Sequence, residues 1–241
     1  EGHKLTHDAY QQIGGVGGAL ANRVEDIYSQ LDAQAQEAVR QLFLRLVTLG
    51  EGVEDTRRRV PRSELVAVSN DADLMEDLID YLAQERFLAL DNDPATRAPM
   101  VEVAHEAILR EWERLRTWIN DSRAELRLQQ QLGRLVEDWQ RASQEPSYLL
   151  RGARLNQFEY WAKTTTLTLT PSEATFLKTS QQARDAYIAE EQLRQQRETA
   201  LETRAKRVFQ ILTVVLFLAA IGGFALAAFA FDREQRTNQA L

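Results

Sequence analysis

The feature that most constrains the fold is an uncharged run near the end of the chain. Residues 208–231 contain no Asp, Glu, Lys or Arg, and only Gln210 and Thr213 are clearly polar. About 20 apolar residues in a helix span a lipid bilayer. We therefore predict one transmembrane helix over residues 208–231. The run is too long, and lies too far from the first residue, to be a signal peptide.

Charges on the two sides of this run predict its orientation. Arg204, Lys206 and Arg207 precede it, whereas Arg233 and Arg236 follow it. Basic residues concentrate on the cytoplasmic side of membrane helices. We therefore expect a single-pass protein of the plasma membrane whose N-terminal part lies in the cytoplasm.

The segment ahead of the apolar run is predicted to be a long polar helix. Residues 173–207 contain neither Gly nor Pro, and Gln, Arg, Glu and Ala dominate them. Pro171 and Glu173 mark the start, because Pro is favoured in a first helical turn and an acid suits the helix N-terminus. Apolar residues thin out after Ile188 and keep no strict heptad. We therefore expect a solvated stalk rather than a coiled coil. At about 1.5 Å per residue, the stalk would be roughly 50 Å long.

The middle of the chain shows the element order of a winged helix, the helix-turn-helix variant that ends in a β-hairpin. Hydrophobic periodicity and turn residues predict a helix, a short helix, a third helix and two strands. These elements are residues 32–50, a few residues from Ser63, residues 71–85, 87–90 and 100–103. With helices also expected before and after it, the chain is predicted to be mainly α, with a small β-hairpin wing.

His105 stands at the most informative junction, within Val101–Ile119. This stretch begins as a β-branched strand and continues as a helix with apolar residues three and four apart. A strand-to-helix junction presents free backbone N–H groups, so it can meet an anion. Two interpretations stay open here: His105 caps the helix, or it contacts a ligand. His105-Glu106 also begins a zinc-protease HExxH motif, but Leu109 replaces the second His, so no metal site is predicted.

Two patterns near the first residue suggest ligand binding only weakly. Residues 14–18 are glycine-rich and could cradle a phosphate, but no Gly-Lys-Ser/Thr of a P-loop occurs in the sequence. We predict that these glycines break a helix and let the next one, residues 19–31, pack closely. His3 and His7 are four apart, as metal ligands on one helix face would be, but a solvated pair is expected.

Charge argues against nucleic acid as a partner. The formal net charge is −7, and residues 71–86 carry six acids against Arg86 alone. Affinity for DNA comes mostly from neutralising phosphates with Lys and Arg, so such a recognition helix would repel the duplex. The basic triplet at 57–59 could dock on this acidic helix; the alternative is a solvated or salt-bridging loop. The winged helix is therefore predicted to be an internal scaffold.

Several motifs together resemble the region behind the ATPase core of the novel STAND NTPases, bacterial relatives of the apoptosome and plant-immunity switch proteins. They cover most of residues 5–180. The matching stretches are YQQIGGVGGALANRVEDIY at 10–28, LFLRLVTLGEGVEDTRRRVPRSEL at 42–65, VEVAHEAILREWERLRTWI at 101–119, YLLRGARL at 148–155 and LTPSEATFLKTS at 169–180.

The resemblance implies a role for His105. In such switches a winged-helix His, at the junction of the wing strand and the last helix, contacts the β-phosphate of bound ADP. His105 occupies the equivalent place, although related proteins usually have His-Asp where this chain has His105-Glu106. The resemblance also implies that ADP or ATP is held by an upstream P-loop ATPase domain, so this chain alone is expected to bind no cofactor and is not predicted to be an enzyme.

Domain boundaries follow from these patterns and from the resemblance. We predict a helical lid remnant of the upstream ATPase module, the winged-helix domain, a helical extension, the stalk, the transmembrane helix and the start of a following segment. Their residues are 1–31, 32–120, 121–172, 173–207, 208–231 and 232–241.

The sequence thus predicts a regulatory, membrane-anchoring segment of a STAND-type switch, which couples nucleotide state to a membrane-attached sensor or effector. Besides the ATPase domain and the bilayer, the expected partners are a downstream repeat domain, often a β-propeller in the family, and a second copy of the chain. Ala219, Gly223 and Ala227 form a small-xxx-small face that would allow such pairing. The alternatives are a membrane-tethered winged-helix transcription regulator and a plain structural anchor.

Overall fold

A computed structural model describes residues 15–238 and the side chains of residues 17–223. Within this range the chain is mainly helical with small antiparallel sheets, as the sequence predicts. The chain divides after Ala183 into two compact units. The predictions for His3, His7 and Gly14, and for the side chain of Ala227, lie outside the described residues.

The first unit contains the shorter helices, the strands and the first turns of one long helix. The helices are α1 Gly15–Gln30, α2 Ala33–Arg45, α3 Arg62–Ala67, α4 Ala72–Gln84, α5 Glu106–Glu111, α6 Glu113–Asp121, α7 Arg123–Arg141, α8 Gly152–Thr164 and α9 Pro171–Asn238, with a 3-10 turn at Pro146–Tyr148. The strands are β1 Val47–Thr48, β2 Thr56–Arg57, β3 Val60–Pro61, β4 Leu88–Asn92 and β5 Pro99–Val103.

Two small antiparallel sheets organise the strands. β1 pairs with β2, and the other three strands form a sheet in the order β3-β5-β4. In the larger sheet Val101 of β5 lies opposite Val60 on one side and Leu90 on the other. The predicted hairpin is present as β4 and β5, each one residue longer than expected. The two-residue strands β1, β2 and β3 were not predicted, because such short segments leave no periodic pattern.

A hydrophobic core joins α1, α2, α4, α5 and α6 to the three-stranded sheet. Trp112 is 2 % exposed and lies at its centre. The ring centroids of Phe43, Trp118 and Tyr28 lie 5.1, 5.4 and 6.1 Å from the Trp112 ring, all in edge-on geometry. Such aromatic pairs add to the stabilisation that burial provides. Trp112 therefore anchors this core, while Trp118 is half-buried against the same cluster.

A second core lies among α7, α8 and the first turns of α9. Trp139 and Trp161 are each 4 % exposed, and Phe158 and Phe176 are fully buried beside them. The Trp139 and Phe176 ring centroids are 5.3 Å apart. Since Phe176 belongs to α9, the beginning of the long helix is part of the first unit's packed interior.

Three predicted helix boundaries are wrong. Helix α2 stops at Arg45 instead of continuing to Gly50, because β-branched Val47 and Thr48 pair with Arg57 and Thr56 as a strand. Helix α1 starts at Gly15, not at residue 19, so Gly15, Gly17 and Gly18, which were expected to break a helix, lie inside it. Their predicted close packing is present: a Cβ added at Gly17 would lie 3.2 Å from Cγ of Glu111.

The third wrong boundary is at Trp112. The sequence predicts one helix after His105, but the backbone is extended at Trp112 (φ −76°, ψ 99°), which ends α5 and begins α6. The indole is held by the surrounding rings, and its Nε1 donates to Glu25 at 2.7 Å. This tertiary anchoring overrides the local helix preference.

The second unit contains the greater part of α9, from Arg184 onward. The helix has no interruption up to Asn238, so the predicted stalk and apolar run form a single element. Leu193 and Leu201 are exposed, as expected of a solvated stalk. Among the described residues, α9 is the one helix long and apolar enough to cross a membrane, and the described residues bury none of its apolar window.

Candidate functional site

His105 lies at an exposed corner between β5 and α5. It is the N-cap residue of α5, with an extended backbone (φ −134°, ψ 126°), and its carbonyl accepts from the Ile108 N–H at 3.0 Å. Its imidazole makes no capping hydrogen bond within the described chain. The capping interpretation therefore applies to the backbone alone, and the side chain is exposed to solvent.

Arg57 holds this corner from the neighbouring strand β2. Its Nη1 donates to the carbonyl oxygens of Val103 at 3.2 Å and Ala104 at 3.3 Å, the two residues before His105. The same guanidinium lies 3.8 Å from the Glu102 carboxylate and 3.9 Å from that of Glu106. One side chain thus contacts the backbone and both acids that flank the imidazole in sequence. We call residues 102–106 the His105 corner.

Carboxylates outnumber guanidinium groups around the His105 corner. Arg110 lies 2.6 Å from Glu54 and 3.7 Å from Glu106. With Arg57, it brings two positive charges to three carboxylates, those of Glu54, Glu102 and Glu106. The two guanidiniums therefore offset two of these three negative charges.

The basic triplet does not dock on the acidic helix α4. Arg58 pairs with Glu64 at 3.2 Å and Arg59 with Asp91 at 2.7 Å, while Arg57 contacts the His105 corner. The alternative of a salt-bridging loop is therefore the correct one.

Arg62 is the residue that meets the acidic helix. It pairs with Asp80 at 2.6 Å and with Glu76. Its hydrogen bond to Asp80 lowers the pKa of that carboxyl below its usual range and raises the pKa of the guanidinium. Arg62 follows a proline and is the first residue of a short helix. That sequence position does not indicate a contact with the next helix.

Two open clefts of about 500 Å³ each flank α5 and α6. The first contains Glu25, whose carboxylate accepts from Trp112 Nε1 and from Arg114 at 3.0 Å. The second is lined by charged side chains, and in it Arg123 pairs with Asp55 at 2.6 Å. Among the described side chains, those of residues 17–223, no group of three or more His, Cys, Asp or Glu could hold a metal ion.

A buried ion pair lies where α9 begins. Arg45 and Glu173 are 4 % and 3 % exposed, and their side chains form two hydrogen bonds of 2.8 and 2.9 Å. Arg45 also donates to the Thr168 carbonyl at 3.0 Å. Taking such charges out of water is costly, so a buried pair has to be fully hydrogen-bonded to persist.

The same glutamate also caps the helix. The Thr170 N–H donates to Glu173 at 2.7 Å, and the Glu173 N–H donates to the Thr170 hydroxyl at 3.2 Å. This reciprocal arrangement is a capping box, which fixes the start of a helix. The sequence pattern predicts this helix start but not the contact between Glu173 and Arg45. The available sign of that contact was the position of Arg45 among the apolar residues of α2.

These features define a mainly helical module with small antiparallel sheets, an exposed His corner and one long apolar helix. The family model for novel STAND NTPase 1 matches residues 1–147. Because this is more than half of the chain, the chain belongs to that family. The match includes Arg45, Arg57 and His105, whereas Glu173 and the apolar run follow it. No curated protein and no solved structure matches the chain.

Proposed function

We propose that this chain is the regulatory and membrane-anchoring segment of a STAND-type NTPase switch. It couples a nucleotide state, ADP for off and ATP for on, to a sensor or effector at the membrane. Family membership supports the switch class. One observation carries the coupling: the buried Arg45–Glu173 pair ties the family-matched core to the first turn of the helix that continues into the apolar run.

In this proposal residues 32–120 form a winged helix that acts as a scaffold. The order α2, α3, α4 and the β4–β5 hairpin supports this assignment. The transcription-regulator alternative is disfavoured by α4, which carries four acids and no base, and in which Asp73 and Asp77 are exposed.

His105 is the proposed contact to the nucleotide. An upstream P-loop ATPase domain of the full-length protein holds ADP, and the exposed imidazole donates a hydrogen bond to a phosphate oxygen. This contact stabilises the closed, inactive arrangement. The exposure of the imidazole and its lack of a capping bond within the described chain support the assignment.

Calorimetric ADP titration of the full-length protein tests this role. A hydrogen bond to a charged group is worth roughly 1.5–3 kcal/mol, so His105→Ala is expected to weaken ADP binding by about 10- to 150-fold. Basal output should rise, and the melting temperature should stay close to that of the wild type. Glu106→Ala is the matched control. The Glu106 carboxylate is not a proposed donor to the phosphate, so its removal should change ADP affinity less than His105→Ala does. Unchanged ADP affinity with a clearly lowered melting temperature would contradict the proposal.

The apolar part of α9 is the proposed membrane anchor, with the N-terminal side in the cytoplasm. Its length and the absence of burial by the described residues support it, and flanking charges support the orientation. The chain should resist extraction by alkaline carbonate. Protease added outside intact cells should leave the domain around Trp112 uncut, and cleavage there would reverse the assigned orientation.

A further inference from the structure

The proposed contact between His105 and a phosphate raises an electrostatic problem. Glu102 and Glu106 flank the imidazole in sequence, and both carboxylates are only partly buried. Two negative charges at this corner repel an anionic ligand, because partly buried charges are screened less than fully solvated ones. A phosphate contact at His105 therefore requires that these acids be neutralised.

Arg57 is placed to neutralise both acids at once. Its guanidinium lies within 3.9 Å of each carboxylate, and its two hydrogen bonds to main-chain carbonyls hold it there. The planar guanidinium offers five donors in a fixed arrangement, which a lysine ammonium cannot reproduce. Arg110 contributes to Glu106 but lies closer to Glu54. Among the described residues Arg57 alone pairs with both Glu102 and Glu106.

We propose that Arg57 is a positioning residue for phosphate recognition at the His105 corner, which it serves by cancelling the charge of Glu102 and Glu106. This inference rests on the proposed function. It assigns to the arginine a role that neither the basic triplet nor the strand in which it lies indicates. The ligand class is a nucleoside diphosphate held by the rest of the full-length protein.

The test compares ADP affinities of full-length variants. Arg57→Gln keeps a donor near the carbonyl oxygens but loses the charge. Because these partly buried charges are still in part screened by solvent, ADP binding should weaken by only about fivefold. Adding Glu102→Gln and Glu106→Gln to this variant removes the unbalanced acids and should return the affinity to within about twofold of the wild type. A purely structural role for Arg57 predicts no such rescue.

Two further readouts separate charge from packing. Raising the salt from about 0.1 M to about 1 M shortens the screening length from about 10 Å to about 3 Å, so the deficit of Arg57→Gln should shrink. Arg57→Lys keeps the charge and should bind ADP better than Arg57→Gln. Arg59→Gln is the matched control, because Arg59 has nearly the same exposure, 37 % against 35 %, but pairs with Asp91 on the hairpin. It should leave ADP affinity unchanged.

His105→Ala separates a failure of the proposed function from a failure of the role assigned to Arg57. If His105→Ala leaves ADP affinity unchanged, the proposed function itself fails. If His105→Ala weakens binding but Arg57→Gln does not, the role of Arg57 alone is overturned. A deficit in Arg57→Gln that neither salt nor the two acid substitutions reduce would also overturn it.

Discussion

Individual buried charges are the first place where this chain departs from a simple hydrophobic core. Arg45 and Glu173 lie almost fully out of water, and each has additional main-chain partners, Thr168 for the arginine and Thr170 for the glutamate. A buried ion pair is not by itself a large source of stability, but removing one partner leaves the other charge uncompensated. Loss of either partner should therefore weaken the attachment of α9, which buried Phe176 and Leu177 also hold.

Glu173→Gln should lower the free energy of unfolding by about 3–5 kcal/mol. Glu64 lies 3.6 Å from Arg45 and can partly compensate, so we expect a value near the lower end. Chemical denaturation in detergent, followed by tryptophan fluorescence, measures the loss. The double variant Arg45→Met with Glu173→Leu should be less unstable than Glu173→Gln. If the single substitution were neutral, the pair would not hold the helix.

Glu25 gives the first core a predictable pH dependence. The hydrogen bond from Arg114, more than that from Trp112, keeps the pKa of Glu25 below its ordinary value of 4.5. A lowered folded-state pKa means that the stabilisation is complete above about pH 4.5 and is lost as the pH falls through the folded-state pKa. Because the side chain is 37 % exposed, solvent screens the pair and the effect is small.

Denaturation at several pH values tests this contribution. Glu25→Gln should be less stable than the wild type near neutral pH. The difference should diminish as the pH falls through the lowered folded-state pKa of Glu25, because the wild-type carboxyl then becomes protonated. A difference that stays constant across this range would show that packing, not charge, explains it.

At the scale of elements, the loop between β1 and β2 depends on Gly50. A Cβ at this position would lie 2.2 Å from the Val53 carbonyl oxygen and 2.6 Å from that of Glu54. These are backbone atoms, so only a shift of the whole loop relieves the clash. The Gly50 N–H also donates to Asp55 at 2.9 Å, and Asp55 in turn pairs with Arg123. The loop is thereby linked to the start of α7.

Gly50→Ala should destabilise the chain by more than about 1 kcal/mol, since the native loop has no room for the methyl group. Gly133→Ala is the matched control. Gly133 lies inside α7, where an added Cβ would be 3.9 Å from Glu173 Oε1, an ordinary contact. That substitution should stabilise the helix by about 0.5–1 kcal/mol. Thermal melts of both variants measure the contrast, and equal melting temperatures would contradict it.

At the scale of the whole molecule, the distribution of charge gives a prediction about nucleic acid. The acidic helix α4 is neutralised in part by Arg62 and remains acidic elsewhere. The chain in detergent should therefore leave duplex DNA unshifted in an electrophoretic assay, even in about 50 mM salt, where phosphate contacts are strongest. A shift at micromolar protein would favour the transcription-regulator alternative.

Sequence alone determined the features that arise from hydrophobic periodicity or from the conformational preference of a few neighbouring residues. The apolar run at 208–231, the helix start at Thr170–Glu173 and the β4–β5 hairpin follow from hydrophobic periodicity and turn residues, which act over a few neighbours. The same local reasoning placed His105 at a strand-to-helix junction, and the motifs around it led to the family.

Only the tertiary structure decided which distant groups meet. Arg45 and Glu173 are 128 residues apart in the chain, and Arg57 is 46 residues from the Val103 carbonyl it contacts. The break at Trp112 has the same origin, because rings and a carboxylate from α1 and α2 fix the indole against the local helix preference. A charge or a ring has no periodic pattern in the sequence that predicts its partner. The partner is fixed only in the folded core, where a buried charge without a hydrogen-bonded partner is costly.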